Sequence, residues 1–297
     1  MKYPRISLVT GCYNHEKYIA QTIESVISQG YPNLQYVVIN DASTDNSEKI
    51  IKKYAKYLYH WKTLPGYRKT ITSALNKGFS YTNGGIMGWL NSKNILLPKS
   101  LFTIAEIFSQ LKKVDWITGI ATAIDGQSKI VRIRFNKKSV YDYLIGNWPV
   151  IQQESTFWRR GLWNETGGKL KNIPLIFDME LWTRFFLKTN HYHVNTVLGS
   201  YRKIPSALSV KNKDKLRQYA DKLIKKMQKK ISQKMFLKAK IYYVMDKYLW
   251  PALGLIPHKI YQKFPCLSEY SYKIIFYSFK DNQWKIKEQN PFRKKFL

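Results

Sequence analysis

The stretch WLNSKN, residues 89–94, follows an apolar run, GGIMGWL, that reads as a buried strand reaching the mouth of a sheet. It sets Asn91, Ser92, Lys93 and Asn94 at a strand end, a usual place for ligand chemistry in an open α/β sheet. A lysine there supplies fixed positive charge. It is not a ligand for a hard divalent cation, and one amide oxygen is a poor substitute for a carboxylate. Two aspartates occupy comparable positions. Asp41 ends the β-branched run LQYVVIN, where an acid can cap its loop, and Asp178 opens MELWTRFFLK, where it can N-cap a helix. Glu180 lies two residues beyond Asp178 and, on a helix, faces elsewhere, which suits capping or packing. His191 and His193 alternate on one strand face but have no nearby carboxylate or cysteine pattern, which falls short of a metal site. Cys12 and Cys266 form neither a disulfide framework nor a metal spacing. Trp158 and Trp182 read as core-filling side chains.

The elements that position these residues follow from periodicity. RISLVT (5–10) reads as a strand, GCYN as a turn, and Ile19, Ile23, Val26 and Ile27 recur at helical spacing, with Asn14 as N-cap and Gly30 as stop. LQYVVIN is a strand buried on both faces, DASTD a loop in which Asp45 and Glu48 resemble a capping pair, and 46–56 a helix. A third helix, KTITSALNKGF, leads into IMGWL, Pro98 starts another helix, and 120–134 forms a hairpin turning at Asp125-Gly126. Short loops between alternating strands and helices predict a doubly wound, mostly parallel sheet. The loops GCYN, DASTD and LNSKN then gather at the carboxyl ends of its strands.

The chain has 297 residues, with 50 Lys and Arg against 19 Asp and Glu, a net charge of +31 that draws anionic partners. About half the excess lies in 211–297, with 22 basic and 6 acidic residues. There Leu216, Tyr219, Leu223, Met227 and Ile231 form one helical stripe among lysines, and a second helix runs from Met235 to Pro251. The division is a catalytic-type domain at 1–210 and a basic, helical, aromatic-rich region at 211–297. The lysine-rich helix reads either as a solvated face or, from the interleaving of Tyr248, Trp250 and Phe264 with lysines, as an attachment to an anionic membrane surface. YLWPALGLIP, Tyr248 to Pro257, is too short and proline-rich to cross a bilayer alone. The N-terminus lacks the apolar core of a secretory signal, so the expected location is the cytoplasm, on the inner face of a membrane. No nucleic-acid module is present, so nucleic acid is set aside.

ISLVTGCYNHEKYIAQTIESVISQGYPNLQYVVINDASTDNS resembles the start of family 2 glycosyltransferases. The likeness continues in family order through ALNKG, GWLNS, STFWRRGLWNETGG, FDMELWTRF and YRKIPSALS. It covers residues 4–210 and implies the GT-A fold. It also implies that Thr10, Tyr13 and Asp41 cradle the nucleotide of a nucleotide-diphosphate sugar, and that Asp178 is the general base toward an acceptor hydroxyl of a glycan or lipid-linked glycan. Four positions depart from the pattern. Relatives carry aspartates for Mn²⁺ or Mg²⁺ where Lys93 and Asn94 stand, and a histidine where Ile204 stands, leaving Arg202 and Lys203 as the nearby cations. Gly85 also replaces an acid of the family's GDI turn. Two readings follow. In the first, Lys93, helped by Arg202 on the nucleotide, replaces the charge of the cation, and no metal is required. In the second, the chain is a catalytically degenerate protein that binds nucleotide sugar or docks on a polyanion or membrane.

Overall fold

The computed structural model describes residues 3–66, 70–146, 151–204, 212–244, 247–248 and 271–289. Its parallel half contains β1 (Ile6–Cys12), β2 (Leu34–Asn40), β3 (His60–Thr63) and β4 (Ile86–Trp89) in the order β3-β2-β1-β4. β1 and β2 are covered on both faces, which explains their continuous apolar, β-branched sequences. Leu8, Tyr36 and Val38 face one core, and Val9, Val37 and Ile39 face the other. The joining helices are α1 (Ile19–Ile27), α2 (Ser47–Lys53) and α3 (Ile71–Phe79). α1 ends before Gly30, whose φ of +61° is a left-handed stop that glycine adopts without Cβ strain. α3 is capped by Thr70, whose hydroxyl accepts a hydrogen bond from the Ser73 amide at 3.1 Å.

Beyond β4 the sheet becomes mixed. β5 (Ile95–Leu96) is followed by α4 (Ser100–Gln110), β6 (Trp116–Ile124), β7 (Ile130–Arg134), α5 (Val140–Leu144), β8 (Thr156–Arg159), α6 (Arg160–Glu165), α7 (Phe177–Phe186) and β9 (Tyr192–Arg202). β8 is inserted antiparallel between β4 and β6, and β9 runs parallel to β6. β6 and β7 form the expected hairpin, whose turn is held by the Asp125 carboxylate accepting from the amides of Gln127 and Lys129, both at 2.9 Å.

The described elements after residue 211 pack on this body. α8 (Lys213–Gln228) buries Ala220, Ile224 and Met227 in the same core as α7, and Leu216, Tyr219, Leu223 and Ile231 flank them. α9 (Gln233–Val244) follows, and its Tyr242 hydroxyl donates to Asp142 at 3.2 Å. The segment expected to be helical throughout also contains two strands. β10 (Tyr272–Ser278) runs parallel to β9, and β11 (Gln283–Gln289) pairs with β10. Ile274, Ile275 and Trp284 are buried, and apolar contact of this kind outweighs the local lysine content. Trp250, Pro251, Phe264, Cys266 and nearly all of YLWPALGLIP lie outside the described residues, as does 205–209 of YRKIPSALS. Among the described residues, no helix is long and apolar enough to cross a membrane.

Candidate functional site

Three loops meet at the carboxyl ends of β1, β2 and β4. The first two are laced together. Asn14, at a left-handed φ of 52°, donates its amide N–H to Ser43 Oγ at 3.1 Å and accepts from the Thr44 amide at 2.8 Å. Asp45 caps α2 by accepting from Ser47 N–H at 2.9 Å and also accepts from Glu16 N–H at 3.0 Å, while Glu16 accepts from Asn46 N–H at 2.9 Å. Asn14 thus joins two loops instead of capping α1, whose N-cap position is Tyr18, and Asp45 adds a link between loops to its expected capping bond. His15 extends the lacing to the third loop through a 2.6 Å hydrogen bond between Nδ1 and Ser92 Oγ.

Asp41 is buried at the end of β2, its amide bonded to the Cys12 carbonyl at 2.7 Å. Tyr13 is half-buried on the adjoining loop. Thr10 lies inside β1, and its hydroxyl shares a 3.0 Å hydrogen bond with the Tyr36 hydroxyl in the interior. Of the three expected nucleotide contacts, Asp41 and Tyr13 stand at strand ends, whereas the Thr10 side chain is committed to the core.

The third loop is fastened from below. Asn94 is buried, with Nδ2 donating to Glu154 Oε1 and Oδ1 accepting from the Arg202 amide at 3.0 Å. Arg202 is 0% exposed. Its Nε donates to the Lys93 carbonyl at 2.8 Å, Nη1 to the Asp125 carbonyl at 2.8 Å and Ser128 Oγ at 3.0 Å, and Nη2 to Gln21 Oε1. This corrects the expectation of a nucleotide-facing guanidinium. Arg202 is enclosed, and its donors satisfy protein carbonyls and hydroxyls that burial would otherwise leave unpaired. It holds the Lys93 backbone while the Lys93 ammonium lies 5.5 Å from the centre of the Tyr201 ring.

Lys93 is not in bulk water. Partial burial lowers its pKa, and the nearby Glu154 opposes that shift. Glu154 is 2% exposed, and burial raises its carboxyl to about 7, with Asp178 adding to the rise and Lys93 opposing it. Burial also raises Asp178 to about 6, although Asp178 Oδ1 accepts from the Met179 amide at 2.8 Å. One ammonium and two carboxyls with raised pKa values therefore form a single electrostatic cluster, the kind of perturbation that marks a functional site. Glu154 is the member that sequence reasoning missed. Its only signal is a lone acid after two glutamines, in IQQES, at the entrance to an apolar strand. Glu180 is a structural partner, paired with Lys171 at 2.9 Å and Arg184 at 2.9 Å.

Beneath the cluster lies an aromatic column. Trp89 stacks on Trp182 with centroids 5.4 Å apart and planes 5° apart, and Trp182 on Trp116 at 5.5 Å. Trp89 Nε1 donates to Gln153 Oε1 at 2.6 Å, which fixes the residue preceding Glu154. Trp158 and Trp182 are buried, as their core reading predicts. The His191 ring lies against Trp116, tilted by 33° with centroids 4.1 Å apart, and bonds Thr118 Oγ1 at 2.9 Å. Burial depresses His191 well below the ordinary imidazole range and His193 to about 4, so both are neutral structural residues. A groove of about 670 Å³ lined by Lys62, Leu64, Ser73, Asn76 and Lys77 shares no residue with the cluster.

The donor set does not fit a divalent metal. Lys93 is cationic, both ends of the Asn94 amide are committed to protein partners, and Ser92 Oγ is bonded to His15. Among the described residues, no three His, Cys, Asp or Glu side chains gather as a metal site. Asn91 Oδ1, also in this loop, is buried with no hydrogen-bond donor among those residues.

The GT-A fold is shared with solved glycosyltransferases. Staphylococcus aureus TarS 1–349, solved with UDP-GlcNAc, superposes with a TM-score of 0.64 at 14% identity, over 90% of this chain and 80% of TarS 1–349. The mannosyltransferase PcManGT of Pyrobaculum calidifontis, solved with GDP-Man and Mn²⁺, gives 0.55 at 13% identity, over 85% and 84%. An uncharacterized glycosyltransferase of Rickettsia prowazekii is 26% identical over 66% of this chain and 63% of its own length. The putative glycosyltransferase EpsE of Bacillus subtilis is 32% identical over 33% and 36%. The chain thus spans less than two thirds of these curated relatives. The pattern of glycosyl transferase family 2 matches residues 7–191, more than half the sequence and all of the site except Arg202, and the chain belongs to that family.

Proposed function

We propose that the protein transfers a glycosyl group, with inversion, from a nucleotide-diphosphate sugar to a hydroxyl of a glycan or lipid-linked glycan. The observation that carries this reading is the cluster of Lys93, Glu154 and Asp178 beside the loop that ends β4. Asp178, as carboxylate, takes the proton of the acceptor hydroxyl. The acceptor oxygen bonds to the anomeric carbon on the face opposite the leaving group. The bond from that carbon to the diphosphate oxygen breaks, and its electron pair departs with the nucleoside diphosphate. The Lys93 ammonium offsets the charge that develops there, in place of a divalent cation. Asp41 and Tyr13 hold the nucleotide, and the unpaired Asn91 Oδ1 is an acceptor suited to a donor hydroxyl. The bound UDP-GlcNAc of TarS and GDP-Man of PcManGT support a donor of this class. The basic surface suits work on the inner face of an anionic membrane.

Asp178→Asn tests the assignment. Donor consumption should fall by at least a hundredfold while nucleotide binding, read by thermal shift or calorimetry, stays within threefold. Unaltered turnover in that variant removes Asp178 as base. Retained nucleotide binding with no transfer by the parent, across a panel of donors and acceptors, favours the degenerate binding protein.

A further inference from the structure

We infer that the β6–β7 hairpin is the surface by which the protein docks on an anionic lipid bilayer, placing the Lys93 loop beside the membrane. The inference rests on the reading that the protein works at a membrane, and it names the contact. β7 is a sheet edge bonded to β6 along one side. All five of its residues are exposed, and four large apolar side chains here are more than half exposed: Ile130 at 54%, Val131 at 52%, Ile133 at 56% and Phe135 at 60%. Edge strands are normally blunted against such exposure, and an apolar edge left open marks an interaction site.

The occupant follows from charge. Between Gly126 and Asn136 the chain carries Lys129, Arg132 and Arg134 and no acid, while the following Lys137 bonds Gln289 and Lys138 is buried beside Asp142. Side chains alternate along a strand, so Val131 and Ile133 share one face and Arg132 and Arg134 the other. Apolar groups enter the headgroup boundary, and arginine stems reach round to lipid phosphates. Exposed Lys203, whose amide donates to the Ile124 carbonyl at 2.8 Å, adds charge at the turn end of the hairpin.

The hairpin is also joined to the site. Arg202 bonds the Asp125 carbonyl and Ser128 Oγ at its turn and the Lys93 carbonyl in the site, and Gln21 on α1 donates to Ser128 Oγ at 2.7 Å. A bilayer seated on β7 therefore has a fixed relation to the loop that receives the donor.

The test uses the full chain and extruded vesicles of phosphatidylcholine, alone or with about a third phosphatidylglycerol, read by sedimentation at physiological salt. The parent should bind the anionic vesicles. The triple variant Val131→Ser, Ile133→Ser, Phe135→Ser changes no charge and should lower the partition coefficient at least tenfold, with its melting temperature unchanged because the residues are exposed. Hydrogen exchange of the 129–135 amides should slow when vesicles are present. Equal binding by parent and variant, no binding by the parent, or vesicle protection confined to 212–289 overturns the inference. So does a parent dimer that the triple variant dissociates, since that assigns the edge to a second copy. No donor or acceptor enters the assay, so a parent that transfers sugar without binding vesicles defeats this inference and leaves the transferase reading standing.

Discussion

Replacing Glu154 by glutamine isolates the charge that distinguishes this site. Glutamine keeps the acceptor oxygen for Asn94 Nδ2 and stays neutral at every pH. The native carboxyl has an ordinary value of 4.5 and is raised to about 7 by burial. A raised folded-state value stabilises the fold fully below the unfolded value, and that contribution is lost as pH rises through the folded value. From pH 5 to pH 8 the loss from Glu154 alone is about 2.5 kcal/mol. Asp178, raised from 3.8 to about 6, loses stability in the same direction but does so in both proteins and cancels. Urea unfolding of parent and Glu154→Gln at the two pH values should therefore show a relative gain for the variant at pH 8 of about 2.5 kcal/mol over its value at pH 5. An identical difference at both pH values refutes the reasoning. It would mean that Glu154 is ionised throughout and held by Lys93, whose ammonium is then spent inside the protein.

The transfer rate should rise with pH around a midpoint near 6 as Asp178 ionises, and fall on the alkaline side below the ordinary lysine range as Lys93 discharges, so a flat profile between pH 5 and 7 counts against the base. Gly199→Ala places a Cβ 2.2 Å from the Glu154 carbonyl oxygen. It should cost about 2–3 kcal/mol by overpacking, and a melting temperature within a degree of the parent's contradicts that close approach. Arg202→Met removes the side-chain donor of the Lys93 carbonyl and one of the donors to the Asp125 carbonyl and to Ser128 Oγ. It should destabilise by about 3 kcal/mol or more and lower transfer, and a stable variant with full activity would show that Arg202 does not hold the loop.

The positions of Asp41 and Lys93 at strand ends and of Asp178 in the first turn of a helix were legible, because a buried apolar run precedes the first two and an apolar helical pattern follows the third. Periodicity also recovered the hairpin turn at Asp125-Gly126 and the core-facing stripe of α8. What escaped depends on contacts distant in sequence. Glu154 meets Asn94 sixty residues away, and its chemistry comes from burial that no local pattern records. Arg202 looked like a ligand cation because a sequence shows charge but not enclosure by Asp125, Ser128 and Gln21. The β10–β11 hairpin was hidden by its lysines, since the apolar residues that fix it, Ile274, Ile275 and Trp284, are few and are buried only by packing along β9 and α4.

The decisive experiment is the initial transfer rate, with a donor found by nucleotide thermal-shift screening, in excess EDTA and in added Mn²⁺ or Mg²⁺, for the parent and for Lys93→Ala. An ammonium acting in place of a cation predicts a parent rate unchanged by chelation and a drop of about 10²–10³-fold in the alanine variant. A parent that stops in EDTA and recovers with metal, or a Lys93→Ala variant as fast as the parent, contradicts it.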